Sequence, residues 1–176
     1  MTSPMSAAAA LRARTSARHD AVDSAFGAFR LDRADSYRDF LLAHARALPA
    51  AEAVLLATSD LPGWRPRTPL LAQDVAEAGG TMPAPIPFVA PTAAFAWGVL
   101  YVVEGSRLGG AMLARQVAPG YPRRYLDAAF APGEWRALRD ALNAEGARGG
   151  DGWLQQAIEG AEACFALYAC AAGAAA

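Results

Sequence analysis

The sequence predicts an all-α protein, a single-domain irregular helical bundle, and three observations predict it. No segment keeps a two-residue apolar alternation for long, so no strand is expected. Apolar residues instead recur at helical spacing through most of the chain. The third observation is that proline- and glycine-rich stretches, such as 60–69, 81–91 and 145–152, separate several of these periodic segments. With 176 residues, 54% of them hydrophobic, the chain is long enough to bury one sizeable core. We therefore treat 1–176 as one domain, with 1–6 and 173–176 as flexible ends.

The first helix is expected over 6–27, "SAAAALRARTSARHDAVDSAFG", where Leu11, Thr15, Val22 and Phe26 keep the helical period and Gly27 ends the element. The second follows Asp32 or Asp35 as its cap and carries Tyr37, Phe40, Leu41, Leu48 and Leu55 as an apolar stripe, with Pro49 expected to kink or divide it. A short helix is expected near 69–78, closed by Gly79 and Gly80, and "TMPAPIPFVAP" reads as a loop. Thr92 opens the next helix, which is apolar nearly all round through Val103 and so belongs at the centre of the core. Further helices are expected near 132–145 and 152–172, separated by an "EGARGGDG" turn, for roughly six helices of unequal length.

Composition narrows the function. The 16 cations, all arginine, nearly balance 17 acids for a net charge of −1, which argues against nucleic acid or an anionic membrane surface as main partner. The absence of lysine excludes Schiff-base chemistry and the lysine of a phosphate-binding loop. The longest apolar run, 93–103, is too short to span a bilayer, and the N-terminus carries no long apolar signal segment, so a cytoplasmic protein is expected. Cys164 and Cys170, six apart on one helix, point to different faces and are expected to be reduced, buried thiols.

Few residues are left for chemistry. There are two histidines. His19 has Asp23 one turn later, a spacing at which the carboxylate can orient the imidazole and choose which nitrogen is free; the same "RHDAVD" also reads as an exposed helix face with an ordinary ion pair. His44 lies within its own apolar stripe and has no carboxylate at i±4, as expected of a structural or surface residue. There is no Glu-x-x-His pair and no His-Glu-x-x-His motif, so a metal centre built from protein ligands alone is not expected. "EGSRLGG" lacks the strand and glycine spacing of a serine-hydrolase nucleophile turn.

That segment, 104–113 "EGSRLGGAML", nevertheless places Gly105, Gly109 and Gly110 in a helix, each at a cost on the order of 1 kcal/mol relative to alanine. Tyr101, Gly105 and Gly109 share one face, so a strip of bare backbone is presented to whatever lies opposite. Small residues permit close helix packing there, or a bent helix whose exposed backbone meets a ligand.

"LRARTSARHDAVD" and "GVLYVVEGSRLGGAML", in that order and with "YRDFLLAHARALPAAEAVL" between them, resemble the biliverdin-producing heme oxygenases, particularly the bacterial branch associated with bacteriophytochromes. The resemblance covers most of the chain and weakens after residue 120. It implies a heme oxygenase-like bundle in which heme b, both substrate and cofactor, lies between the two matched helices. His19 is then the axial iron ligand, the site for heme being formed by Arg12, Thr15, His19, Val22, Asp23, Tyr101, Gly105, Gly109 and Gly110. Arg12 matches a basic position that meets heme propionates, though it also reads as a solvated arginine.

The implied reaction is oxidative cleavage of heme to biliverdin, carbon monoxide and ferrous iron, using O2 and electrons from a ferredoxin or flavoprotein reductase, with a bacteriophytochrome as a possible acceptor of the biliverdin. Gly105, Ser106 and Gly109 form the implied catalytic face. One departure stands out: the animal-type pattern has an aspartate where this chain has Ser106, a hydroxyl that holds no charge. That keeps open a heme carrier or sensor on the same fold that lacks turnover; a thiaminase-like relative handling a small heterocycle is a third reading.

Overall fold

The computed structural model describes residues 5–173, and six helices occupy most of them. The first, α1, runs Ala7–Phe26. Ser6 caps it, its side chain accepting the Ala9 N–H, and the Gly27 N–H closes it on the Asp23 carbonyl. Ser6 and Gly173 are thus a helix cap and a helix terminus, where flexible ends were expected; the rest of that expectation, 1–4 and 174–176, lies outside the described residues.

The second helix, α2, spans Ala34–Leu56. Neither Asp32 nor Asp35 caps it: Arg33 is the cap residue and offers no side-chain hydrogen bond, while Asp32 is occupied with the Arg30 guanidinium. Asp35 sits inside the first turn, where its charge complements the helix dipole. The helix continues through Pro49 to Leu56, so the proline does not divide it. Its missing N–H leaves one carbonyl of the preceding turn without a helical donor, a local loss that the buried stripe of Tyr37, Phe40, Leu41, Leu48 and Leu55 outweighs.

Thr68–Glu77 forms α3, started by Pro69 in the first turn and closed by Gly79 at φ 78°, with the Gly80 N–H on the Val75 carbonyl. The proline-rich stretch after it is irregular, as expected, and is pinned by the Ile86 N–H donating to the Arg46 carbonyl.

Ala93–Ala114 forms α4, with Thr92 accepting the Phe95 N–H. It is helical throughout, glycines included. A four-residue helix, α5 (Arg124–Asp127), was not anticipated, because four residues carry no period to read. Last comes α6, Glu134–Gly173, interrupted at Gly150, whose φ of 67° and ψ of −162° are open to glycine and costly for other residues. The expected "EGARGGDG" turn is therefore confined to this one glycine, and the helix persists through Glu145–Gly149.

The longest helix, α6, organises the molecule: both α1 and α4 pack on it. Two glycines let α4 approach closely. A Cβ on Gly98 would coincide with the Ala157 carbonyl, and one on Gly160 would coincide with the Phe95 carbonyl. Small-residue packing, one of the two readings of glycine in this helix, thus operates about two turns before Gly105. Cys164 is buried in the core, whereas Cys170 is exposed, contrary to the expectation that both thiols are buried; both are free.

Candidate functional site

Although α1 and α4 share α6 as a support, they make little or no direct contact with each other. Each presents to its free side residues that a core would not leave exposed. On α1 the His19 side chain is 57% exposed, and its Nδ1 lies 3.2 Å from Asp23 Oδ2. A carboxylate at this distance favours the proton on Nδ1, the tautomer in which Nε2 is free to meet a ligand. Phe165 of α6 meets the imidazole edge-on at a centroid distance of 5.8 Å, fixing the ring from the core side.

On α4 the three glycines divide by role. Around Gly109 an added Cβ would meet nothing within 4 Å. At Gly105 it would reach ordinary contact, 3.5 Å, with the Trp135 ring, which also lies 5.8 Å from the Tyr101 ring. Gly110 belongs elsewhere: a Cβ there would sit 2.8 Å from the Leu126 carbonyl, so this glycine admits α5 rather than completing the bare strip. Tyr101, Gly105 and Gly109 do share a face, and its open end is at Gly109.

The remaining expected site residues scatter. Thr15 is buried, its Oγ1 donating to the Leu11 carbonyl at 2.8 Å, so its hydroxyl is already satisfied within the helix. Val22 is half-buried against the core. Arg12 is exposed and, together with Arg139 of α6, lies close enough to Tyr101 for its positive charge to favour the phenolate; burial acts more strongly and raises the Tyr101 pKa.

Ser106 faces neither solvent alone nor an aspartate-like role. Its Oγ donates to the Val103 carbonyl at 2.7 Å and accepts from Arg67 Nη2, also at 2.7 Å. Arg107, the next residue, is buried and directs its hydrogen bonds away from Ser106. Its Nε donates to both Glu104 oxygens at 2.9 and 3.0 Å, and its terminal nitrogens to the Ala128 and Arg65 carbonyls. Burial raises the Glu104 pKa, and the Arg107 charge opposes that rise.

Sequence reasoning missed Arg67, Glu52, Trp135 and Phe165. Arg67 and Glu52 are both nearly fully buried; the Glu52 oxygens accept the backbone N–H groups of Arg67 at 2.6 Å and Thr68 at 3.0 Å. A glutamate within an otherwise apolar helix stripe was the one available signal. Among the described residues no cluster of histidine, cysteine and carboxylate groups able to hold a metal ion by itself occurs, and no helix is long and apolar enough to cross a membrane.

A heme oxygenase of Xanthomonas campestris pv. campestris (strain 8004) is 35% identical to this chain over 150 residues, 77% of this chain and 87% of the relative. This chain belongs to the heme oxygenase family. The same family appears among solved structures: crystal structures of the NO- and CO-bound heme oxygenase from Neisseria meningitidis superpose with a TM-score of 0.77 at 25% identity, covering 98% of this chain and 92% of that one. No family model matches the sequence. The all-α heme oxygenase fold therefore extends across the part after residue 120, where the sequence resemblance is weakest.

Proposed function

We propose that this chain is a heme-degrading enzyme that cleaves heme to biliverdin, carbon monoxide and ferrous iron with O2 and externally supplied electrons. The observation that carries the reading is the open backbone at Gly109 on α4, on a helix held apart from the α1 helix that exposes His19. A flat, largely apolar macrocycle would lie between two such faces, one offering a ring nitrogen and the other bare backbone at Gly109. The family supports the same assignment, since the relative and the solved structure it matches are heme oxygenases.

His19 would hold the iron through Nε2, with Asp23 keeping the ring in the required tautomer and orientation. Phe165 limits rotation of the imidazole. Gly105 and Gly109 would leave room over the macrocycle, with Trp135 walling the space beside Gly105. Arg12 stands at the charged edge for the propionates, where a guanidinium can bind a carboxylate through two hydrogen bonds. Thr15 and Val22 support this face of α1 from the core, and Tyr101 borders the glycine strip. When bound, heme supplies the redox iron and is itself the molecule cleaved; the protein supplies ligation, orientation and exclusion of competing positions. Electrons would come from a ferredoxin or flavoprotein reductase, the biliverdin would pass to an acceptor such as a bacteriophytochrome, and the setting would be cytoplasmic.

The deciding experiment is an anaerobic hemin titration followed by ascorbate and air. Loss of the Soret band with growth of a biliverdin band in the red is expected. Tight binding with the heme left intact would instead make this a heme carrier or sensor, a reading favoured by the lack of charge at Ser106. Absence of hemin binding at micromolar concentration would overturn both.

A further inference from the structure

We infer that Met112, with Leu108, is the apolar landing surface of the site: the macrocycle covers the uncharged face of α4 from Tyr101 to Met112, shielding a thioether that is open to oxidants in the free protein. The inference rests on the heme reading above and extends the site past the glycines. Tyr101, Gly105, Leu108 and Met112 follow at i, i+4, i+7 and i+11, the spacing of one helical stripe. Leu108 is 54% exposed and Met112 69%, and Gly109 beside them meets nothing within 4 Å. The other large exposed apolar residues among the described ones are scattered: Met5 precedes α1, Leu56 ends α2 and Val89 lies in the loop before α4. Leu108 and Met112 are the two that share a helix face.

Charge sharpens the contrast. An ordinary surface helix sets charged and polar residues opposite its buried stripe. On α4 the charged residues are Glu104 and Arg107, and both are buried and paired with each other. The outer face of the helix therefore carries no charge along its whole length. Its inner face is already complete, with Val99, Leu100 and Val103 in the core, so the fold itself does not call on Leu108 or Met112.

The two residues supply what the glycines cannot. A bare backbone permits close approach but has no side chain to withdraw from water, whereas covering Leu108 and Met112 with an apolar ligand gains the burial of two large side chains. Methionine suits the edge of such a ligand, because its unbranched chain adapts to shape and its polarisable sulfur makes favourable contacts with aromatic rings. A second copy of the chain would present the same uncharged face; continuity with Tyr101, Gly105 and the open Gly109 favours the macrocycle.

Methionine oxidation reads this cover without turnover. Hydrogen peroxide transfers one oxygen atom to the thioether sulfur, giving the sulfoxide and water. The protein is treated with peroxide in the dark, free and loaded with gallium(III) protoporphyrin IX, a flat analogue without redox chemistry of its own, and the sulfoxide at each methionine is followed by peptide mass spectrometry. In the free protein Met5 and Met112, similarly exposed, should oxidise at similar rates. Loading should slow Met112 at least ~10-fold and leave Met5 unchanged. In parallel, Met112→Gln and Leu108→Gln should keep the apo melting temperature and each weaken hemin binding about tenfold, with Met112→Leu close to wild type. Oxidation of Met112 at the free rate while the porphyrin is bound, or wild-type hemin affinity in both glutamine variants, would overturn the inference and leave the heme reading standing. Protection of Met112 that rises with protein concentration in the absence of porphyrin would assign the face to a second copy and overturn it as well. If the gallium porphyrin does not bind, the hemin titrations decide, and failure of wild type to bind hemin removes both readings.

Discussion

Asp23 Oδ2 lies 3.2 Å from His19 Nδ1, one helical turn away on an exposed face of α1, so a local pair within a single helix favours one tautomer of the candidate iron ligand. Phe165 of α6 adds support from outside the helix, meeting the ring edge-on at 5.8 Å. We expect Asp23→Ala to leave the melting temperature nearly unchanged, because both groups are exposed, and to weaken hemin binding by about 10–100-fold, as loss of an outer partner of a metal-binding histidine does. Hemin titration followed at the Soret band checks this; an unchanged affinity would show that Asp23 is an ordinary surface carboxylate.

Gly109 and Gly98 should respond oppositely to a methyl group. At Gly109 there is open space, so Gly109→Ala should stabilise the free protein by about 1 kcal/mol through helix propensity alone. Gly109→Leu should still fold but weaken hemin binding at least ~10-fold, the factor that about 1.4 kcal/mol of steric conflict produces. At Gly98 the added carbon strikes the Ala157 backbone, and Gly98→Ala should destabilise by about 1–3 kcal/mol or more. Thermal melts of the apo-proteins distinguish the three.

Glu104 and Arg107 form a buried pair three residues apart on α4, and Arg107 also ties down the Arg65 and Ala128 carbonyls. Removing one partner leaves the other charged and unpaired in the core. Glu104→Gln should therefore cost about 3–5 kcal/mol. Replacing both, as Glu104→Leu with Arg107→Met, should recover part of this loss and not all, since the two carbonyls then lack their donor. Urea unfolding with the double-mutant cycle measures the coupling.

His44 predicts acid lability. It is buried among Phe26, Phe40, Tyr125 and Tyr168, its Nδ1 is 2.9 Å from the Tyr125 hydroxyl, and burial lowers its pKa to about 3. A pKa below the unfolded value near 6.5 means that the unfolded state binds the proton first. The stability from neutral His44 is thus fully present above pH ~6.5 and is lost progressively as pH falls toward 3. In His44→Phe the decline between pH 7 and pH 4.5 should be shallower than in the wild type, at the expense of the Tyr125 hydroxyl partner. Parallel declines in the two proteins would assign the acid sensitivity to carboxylates.

The site was partly legible because part of it is local. The His19–Asp23 pair and the glycine strip are contained in single helices, where i,i+4 spacing is a geometric statement. The start of α4 at Thr92 was legible for the same reason, its cap being satisfied within three residues. Arg67 was not, because its partners Glu52, Val103 and Ser106 stand 15, 36 and 39 residues away. Asp74, fully buried where it accepts from the Tyr125 N–H and the Arg124 guanidinium, looks in sequence like an ordinary surface carboxylate of a short helix.

The sequence by itself determined the helical class, the ends of α1, the start of α4, the His19–Asp23 spacing and the shared face of Tyr101, Gly105 and Gly109, since these follow from backbone periodicity and short-range hydrogen bonding. Only the tertiary structure decided what each glycine is for. Gly98 and Gly160 admit a neighbouring backbone, Gly110 admits the Leu126 carbonyl, and Gly109 faces open space. It also decided that the Ser106 hydroxyl accepts a hydrogen bond from buried Arg67. A missing side chain looks the same in any sequence, and what fills its place depends on which helix packing brings opposite it.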